Sequence, residues 1–155
     1  MKKILVFLVL LLFPIYTSAL TYPTLHYKSA LIYDITDNKT LYELNVAEER
    51  SIASLTKIVT TITALESIDD LQEEVKITNE MLSKVRWDAS IAGLKAGESY
   101  THEDLLYASI LPSGADATIA IAISTSGSIN NFVKKMNELT DRIGMANSNI
   151  ISKSP

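Results

Sequence analysis

Strand-forming sequence in this chain is confined to a short stretch near its start. Lys28 to Asp34 and Leu41 to Asn45 carry β-formers on either side of the turn-rich Asp37-Asn38-Lys39, which predicts a β-hairpin. Beyond Ser51 the pattern changes. Leu55, Ile58, Val59, Ile62 and Leu65 recur at three- and four-residue spacing, the stripe of a buried amphipathic helix. Thr56, Val59, Thr60, Thr61, Ile62 and Thr63 would suit a strand instead; length and spacing select the helix. Ile68 to Tyr100 is polar and punctuated by Gly93 and Gly97, and reads as short helices and loops. Thr101 with Asp104 resembles a capping pair at the start of a helix that Pro112 stops. After Ser113-Gly114-Ala115-Asp116, the small apolar stretch Ala117 to Ile123 suits a close-packed inner helix. Ser128 caps a last helix whose buried face is Ile129, Phe132, Val133, Met136, Leu139 and Ile143, ended by Gly144. One hairpin followed by helices, with no repeat or linker, predicts an α+β domain.

The first residues have a different purpose. Met1-Lys2-Lys3, the apolar run Ile4 to Phe13 and the breaker with small residues Pro14 to Ala19 form the three regions of a secretory signal. A retained membrane anchor is the competing reading, but a spanning helix needs about 20 apolar residues. Cleavage after Ala19 removes 19 of 155 residues and leaves 136, with no second long apolar run to span a membrane. It also takes two Lys and no acid, so the net charge moves from −4 to −6. An acidic chain with a pI near 5.2 has no basic surplus for nucleic acid. With no Cys and only His26 and His102, there is no disulfide framework, no thiol nucleophile and no clustered zinc ligands. Both histidines read as structural or solvated. No cofactor or metal is expected, and the acidic run Asp69, Asp70, Glu73, Glu74 reads as a solvated face. Trp87 beside Arg86 could stack on a ligand, although a lone tryptophan is expected to pack on the helices.

Chemistry must therefore come from hydroxyls, Lys, carboxylates or backbone dipoles. Ser54-Leu55-Thr56-Lys57 is the chain's Ser-x-x-Lys, and at a helix start it puts both side chains on one face, one turn apart. A serine hydroxyl becomes a nucleophile when a neighbour takes its proton, and a desolvated lysine amine is such a neighbour. The helix N-terminus adds partial positive charge and N–H donors for a developing oxyanion. The spacing alone also fits a capping serine beside a solvated lysine.

Further landmarks follow in order: Gly93-Leu94-Lys95-Ala96-Gly97-Glu98, then Leu105-Leu106-Tyr107, then Leu111 to Ala117 with Ser113-Gly114-Ala115, and finally Leu139 through Met145. With the hairpin and Ser51 to Lys57, these residues resemble the low-molecular-mass penicillin-binding proteins, more narrowly the exported serine D-alanyl-D-alanine carboxypeptidases. The resemblance runs from Tyr27 to about Ile151. It implies an acyl-enzyme on Ser54, with Lys57 as proton acceptor and Ser113, from the family's Ser-x-Asn motif, as proton relay. It also implies peptidoglycan stem peptides as substrates and β-lactams as covalent inhibitors. The implied fold is the N-terminal part of a β-lactamase/transpeptidase-like domain, mostly helical, with its sheet incomplete.

The sequence departs from that family in two places. Ala115 stands where Ser-x-Asn has its asparagine, and no Lys-Thr-Gly follows, although the family uses that triplet to hold the substrate's terminal carboxylate. Residues 20–155 are accordingly expected to be a truncated member: a fragment, an interrupted gene product or a chain completed by another polypeptide. With no amphipathic anchor at Ser152-Lys153-Ser154-Pro155, it is expected to be released or loosely wall-associated. Two alternatives stand beside the peptidase. One is a non-catalytic, exported cell-envelope protein on the same scaffold. The other is a fragment of a class A-like serine β-lactamase, whose Ser-Asp-Asn motif Ser113-Gly114-Ala115 fits less well.

Overall fold

The computed structural model describes residues 26–145 and 147–151. The proposed signal segment lies outside the described residues. Two units separate at Glu48/Glu49, and each is described by itself.

The first unit is the expected hairpin. Strand β1 (Ala30–Asp34) pairs antiparallel with β2 (Lys39–Leu44), from Ala30 opposite Leu44 to Asp34 opposite Lys39, with an irregularity at Ile32/Tyr33. Asp34 sets the turn: its Oδ1 accepts from the backbone N–H of Thr36 at 2.9 Å and of Asp37 at 3.1 Å. At the open end, Asn45 Nδ2 donates to the Lys28 carbonyl at 2.9 Å, while Ser29 Oγ donates to the Asn45 carbonyl at 3.1 Å. Leu31, Ile32, Tyr33 and Leu41 remain exposed. A two-stranded ribbon of this kind has little stability of its own.

The second unit is built on helices. A 3₁₀ turn (Ala53–Leu55) leads into α1 (Thr56–Leu65). Next come β3 (Glu74–Lys76), α2 (Asn79–Ser83), β4 (Ser99–Thr101), α3 (His102–Ile110), α4 (Ala115–Ser126) and α5 (Ile129–Arg142). Helix α4 is the inner one. Ala117, Ala120, Ile121 and Ala122 are buried, and these small side chains let α1, α2, α3 and α5 all pack against it. Phe132, Leu105, Ile77 and Ile121 fill the core between them, each worth about 1.5–3 kcal/mol of apolar burial.

The caps follow the sequence closely. Thr101 and Asp104 form a complete capping box at α3, and Ser128 Oγ accepts from the Asn131 N–H at 3.1 Å at the start of α5. Gly144 ends α5 at φ +84°, where its N–H reaches Asp141 O and the Met145 N–H reaches Thr140 O, a Schellman motif. Beyond it the chain lies back along α5, because Asn137 donates to the Ile150 carbonyl at 2.8 Å and accepts from the Ile150 N–H at 2.9 Å. His102 is buried between Asp70 O and Ser124 Oγ, so its role is structural; His26 is exposed.

Four expectations need correction. The stretch from Ile68 to Tyr100 holds a strand, β3, which pairs with β4 from Glu74 opposite Thr101 to Lys76 opposite Ser99. Strands of three residues carry too little periodicity to be seen in sequence. Of the apolar stripe only Val59 is buried, turning inward on α1 with Thr60, Thr63 and Ala64, while Leu55, Ile58, Ile62 and Leu65 are exposed. Close approach to α4 and α5 favours the smaller face. Ile143 falls after the last turn of α5 and is exposed, and Trp87, expected to pack on the helices, is 96% exposed.

Candidate active site

The site begins with a strained turn. Ala53 has φ +46°, left-handed backbone that costs an L-residue roughly 1–2 kcal/mol, and the Leu55 N–H closes the turn on Ile52 O at 3.1 Å. The bend leaves Ser54 exposed immediately before α1, and Lys57 stands half-buried in the first helical turn. Both line one cleft of about 460 Å³, together with Thr60, Arg86, Asp88 and Thr118.

The electrostatics of the cleft suit a basic amine. Burial lowers the Lys57 pKa from its ordinary value. Asp88, the carboxylate in the same cleft, is engaged by Arg86, whose Nε and Nη2 donate to its two oxygens at 2.9 and 2.7 Å. Hydrogen bonding to Arg86 keeps Asp88 below the usual carboxylate range, and it raises Arg86 in turn. The nearby negative charge is thus taken up by the guanidinium, and Lys57 meets desolvation without it.

Ser113 is placed differently. It occupies the α3–α4 connection at φ +60°, half-buried, with its N–H on Ile110 O at 3.3 Å, and it is not among the residues lining the cleft. Ala115 borders a wider groove of about 910 Å³ that also includes Lys57 and Thr56. Ala115, expected at the third position of a Ser-x-Asn motif, therefore shares a groove with the lysine. Here it carries a methyl group in place of an amide.

Asp116 is the residue sequence reasoning passed over. Its buried carboxylate accepts backbone N–H bonds from Ala92, Gly93 and Leu94 at 2.8, 2.8 and 3.0 Å, and from Ala117 at 3.0 Å. Burial alone would raise its pKa, but these donors together outweigh it and hold Asp116 below the ordinary value. The Ala115 N–H adds a bond to Ser90 O at 2.8 Å. Gly114 completes the join, since a β-carbon there would lie 2.6 Å from Ala108 O. The loop 90–94 and the turn carrying Ser113 are thereby fixed to each other. An acid directly after Ser-Gly-Ala at a helix start was the available signal.

Among the described residues no cluster of His, Cys, Asp or Glu could hold a metal ion, and no helix is long and apolar enough to cross a membrane.

Residues 17–153 match the Peptidase S11 family, described as D-alanyl-D-alanine carboxypeptidase. The chain is 34% identical over 125 residues to the D-alanyl-D-alanine carboxypeptidase DacF of Bacillus subtilis, covering 78% of this chain and 31% of that protein. To DacC of Escherichia coli it is 29% identical, covering 81% and 33%. Among solved structures, a Streptomyces DD-transpeptidase superposes with TM-score 0.79 at 30% identity, over 85% of this chain and 53% of that one. Penicillin-binding protein 5 of Haemophilus influenzae gives 0.77 at 27% identity, over 85% and 40%. The chain thus spans about a third of these two curated relatives and about half of the Streptomyces enzyme. By the match across most of its length, the chain belongs to the D-alanyl-D-alanine carboxypeptidase family, Peptidase S11.

Proposed function

We propose that this chain carries the nucleophile and base of an exported serine D-alanyl-D-alanine carboxypeptidase acting on peptidoglycan stem peptides. Ser54 Oγ attacks the carbonyl carbon of the penultimate D-Ala as its proton passes to Lys57 Nζ. N–H groups at the start of α1 stabilise the oxyanion. The C–N bond then breaks, and the terminal D-Ala leaves as a neutral amine with the proton returned from Lys57. Ser113, the relay that the family resemblance implies, lies outside the cleft lining and would have to approach the leaving nitrogen to carry it. Water, deprotonated by the same lysine, hydrolyses the ester and restores Ser54. β-Lactams enter by the same attack, with the amide bond of their ring opening in place of D-Ala release.

The observation that carries this reading is the shared cleft of Ser54 and Lys57, in which the lysine is half-buried and its pKa lowered. Release of D-Ala from a peptide ending in D-Ala-D-Ala tests it: the chain is expected to release D-Ala, and Ser54→Ala to abolish release. Ala115 favours a second reading, a scaffold on the same fold that acylates or binds without turnover. In that case an acyl group accumulates on Ser54 while D-Ala release stays at background after the first equivalent. The Lys2-Lys3 start and the Ile4 to Phe13 run support export.

A further inference from the structure

A peptide that ends in D-Ala-D-Ala carries its negative charge close to the bond that breaks. The terminal carboxylate carbon lies one residue beyond the carbonyl that Ser54 attacks, within about 4 Å by standard backbone dimensions. Whatever holds that carboxylate must therefore stand in the cleft with Ser54. Two cations line this cleft among the described residues, Lys57 and Arg86. Lys57 acts as a base only while its amine is neutral, so it cannot also serve as the counter-ion. The wider groove adds Arg50 and Lys84, but Ser54 does not line it, and Lys84 reaches Glu80 at 3.4 Å. Arg86 remains.

Its neighbour prepares it for that task. Arg86 Nε and Nη2 donate to the two Asp88 oxygens at 2.9 and 2.7 Å, which occupies one side of the guanidinium and two of its five donors. The end edge, with both Nη1 hydrogens and the second of Nη2, is not spent on Asp88, and half of the side chain is open to solvent. A guanidinium offers no lone pair, so this edge is satisfied by acceptors, and a carboxylate fits it bidentately. The Ala89 N–H closes the turn on Arg86 O at 3.1 Å, so the fork is set before a ligand arrives. The ion pair has no net charge, and its preference for an anion comes from directed hydrogen bonds. We propose that Arg86, held side-on by Asp88, anchors the substrate's terminal carboxylate in the Ser54 cleft. The family resemblance gives that role to a Lys-Thr-Gly triplet, whereas Arg86 belongs to the connection between α2 and β4. The assignment rests on the peptidase reading of the cleft.

Binding without turnover separates the anchor from the chemistry. The chain carrying Ser54→Ala is titrated by calorimetry with N-acetyl-D-Ala-D-Ala and with its C-terminal amide, which differ only at that end. The acid is expected to bind about tenfold more tightly, as for a hydrogen bond between charged groups. Arg86→Gln should erase the difference, and Arg86→Lys, a charge without the fork, should keep only part of it. Equal affinity for the two ligands, no binding of either, or a preference that survives Arg86→Gln overturns the anchor. Penicillin adduct formation on Ser54 of the unsubstituted chain keeps the two readings apart. An adduct beside equal affinities removes the anchor alone. An acid preference that Arg86→Gln erases, with no adduct, removes the peptidase and leaves a carboxylate site.

Discussion

At the scale of single residues, the proposed attack by Ser54 depends on the protonation of Lys57. Its amine accepts a proton only when neutral, and burial lowers its pKa, so the neutral fraction grows at lower pH than for a free lysine. Acylation of Ser54 by penicillin should therefore rise with pH through an inflection below that of ordinary lysine, measured as adduct formation rate. Lys57→Met should lower that rate by about 10²–10⁴-fold, the usual contribution of a positioned base. Asp116 works in the opposite direction. Its folded-state pKa is depressed, so its stabilisation is present above the unfolded carboxylate pKa and is lost as pH falls through the folded value. Asp116→Asn should cost about 2–4 kcal/mol by denaturant melts at neutral pH and much less in acid, as charge-assisted bonds to four backbone donors weaken. The shared cleft of Ser54 and Lys57 was legible because the two lie three residues apart in the chain. The Asp116 bonds were not, since three of the four donors come from a loop more than twenty residues away.

At the scale of elements, α1 separates what pattern can tell from what packing decides. Its helical state was legible in the spacing from Leu55 to Leu65, but its orientation was not, because the side that meets α4 and α5 needs small residues. Ile62→Lys on the exposed stripe should change stability by no more than about 0.5 kcal/mol. Ala64→Leu, at a fully buried position of the same helix, should cost about 1–3 kcal/mol by overpacking. Thermal melts of the two variants check the assignment; a reversed order would mean that the stripe is the packed face. The capping box of α3 and the two ends of α5 were readable because the capping groups lie within one turn of the backbone they serve. Strands β3 and β4 were not, because each is three residues long and its partner is more than twenty residues away.

At the scale of the molecule, the helical unit brings together a strained turn, helices α1 and α4 and the loop carrying Arg86, Asp88 and Ala89 around one cleft. The Asp116 and Gly114 joins bind the loop 90–94, which follows the cleft residues Arg86, Asp88 and Ala89, to the turn that leads into α4, whose Thr118 lines the same cleft. Family membership rests on the match over residues 17–153, and the chemistry proposed for this chain rests on Ser54 and Lys57 sharing the cleft. The intact mass of the folded chain after incubation with penicillin, with the adduct mapped by peptide digestion, addresses that claim directly. The expected result is one penicilloyl group on Ser54, absent in Ser54→Ala. No adduct on a chain whose circular dichroism shows the helices formed would contradict it.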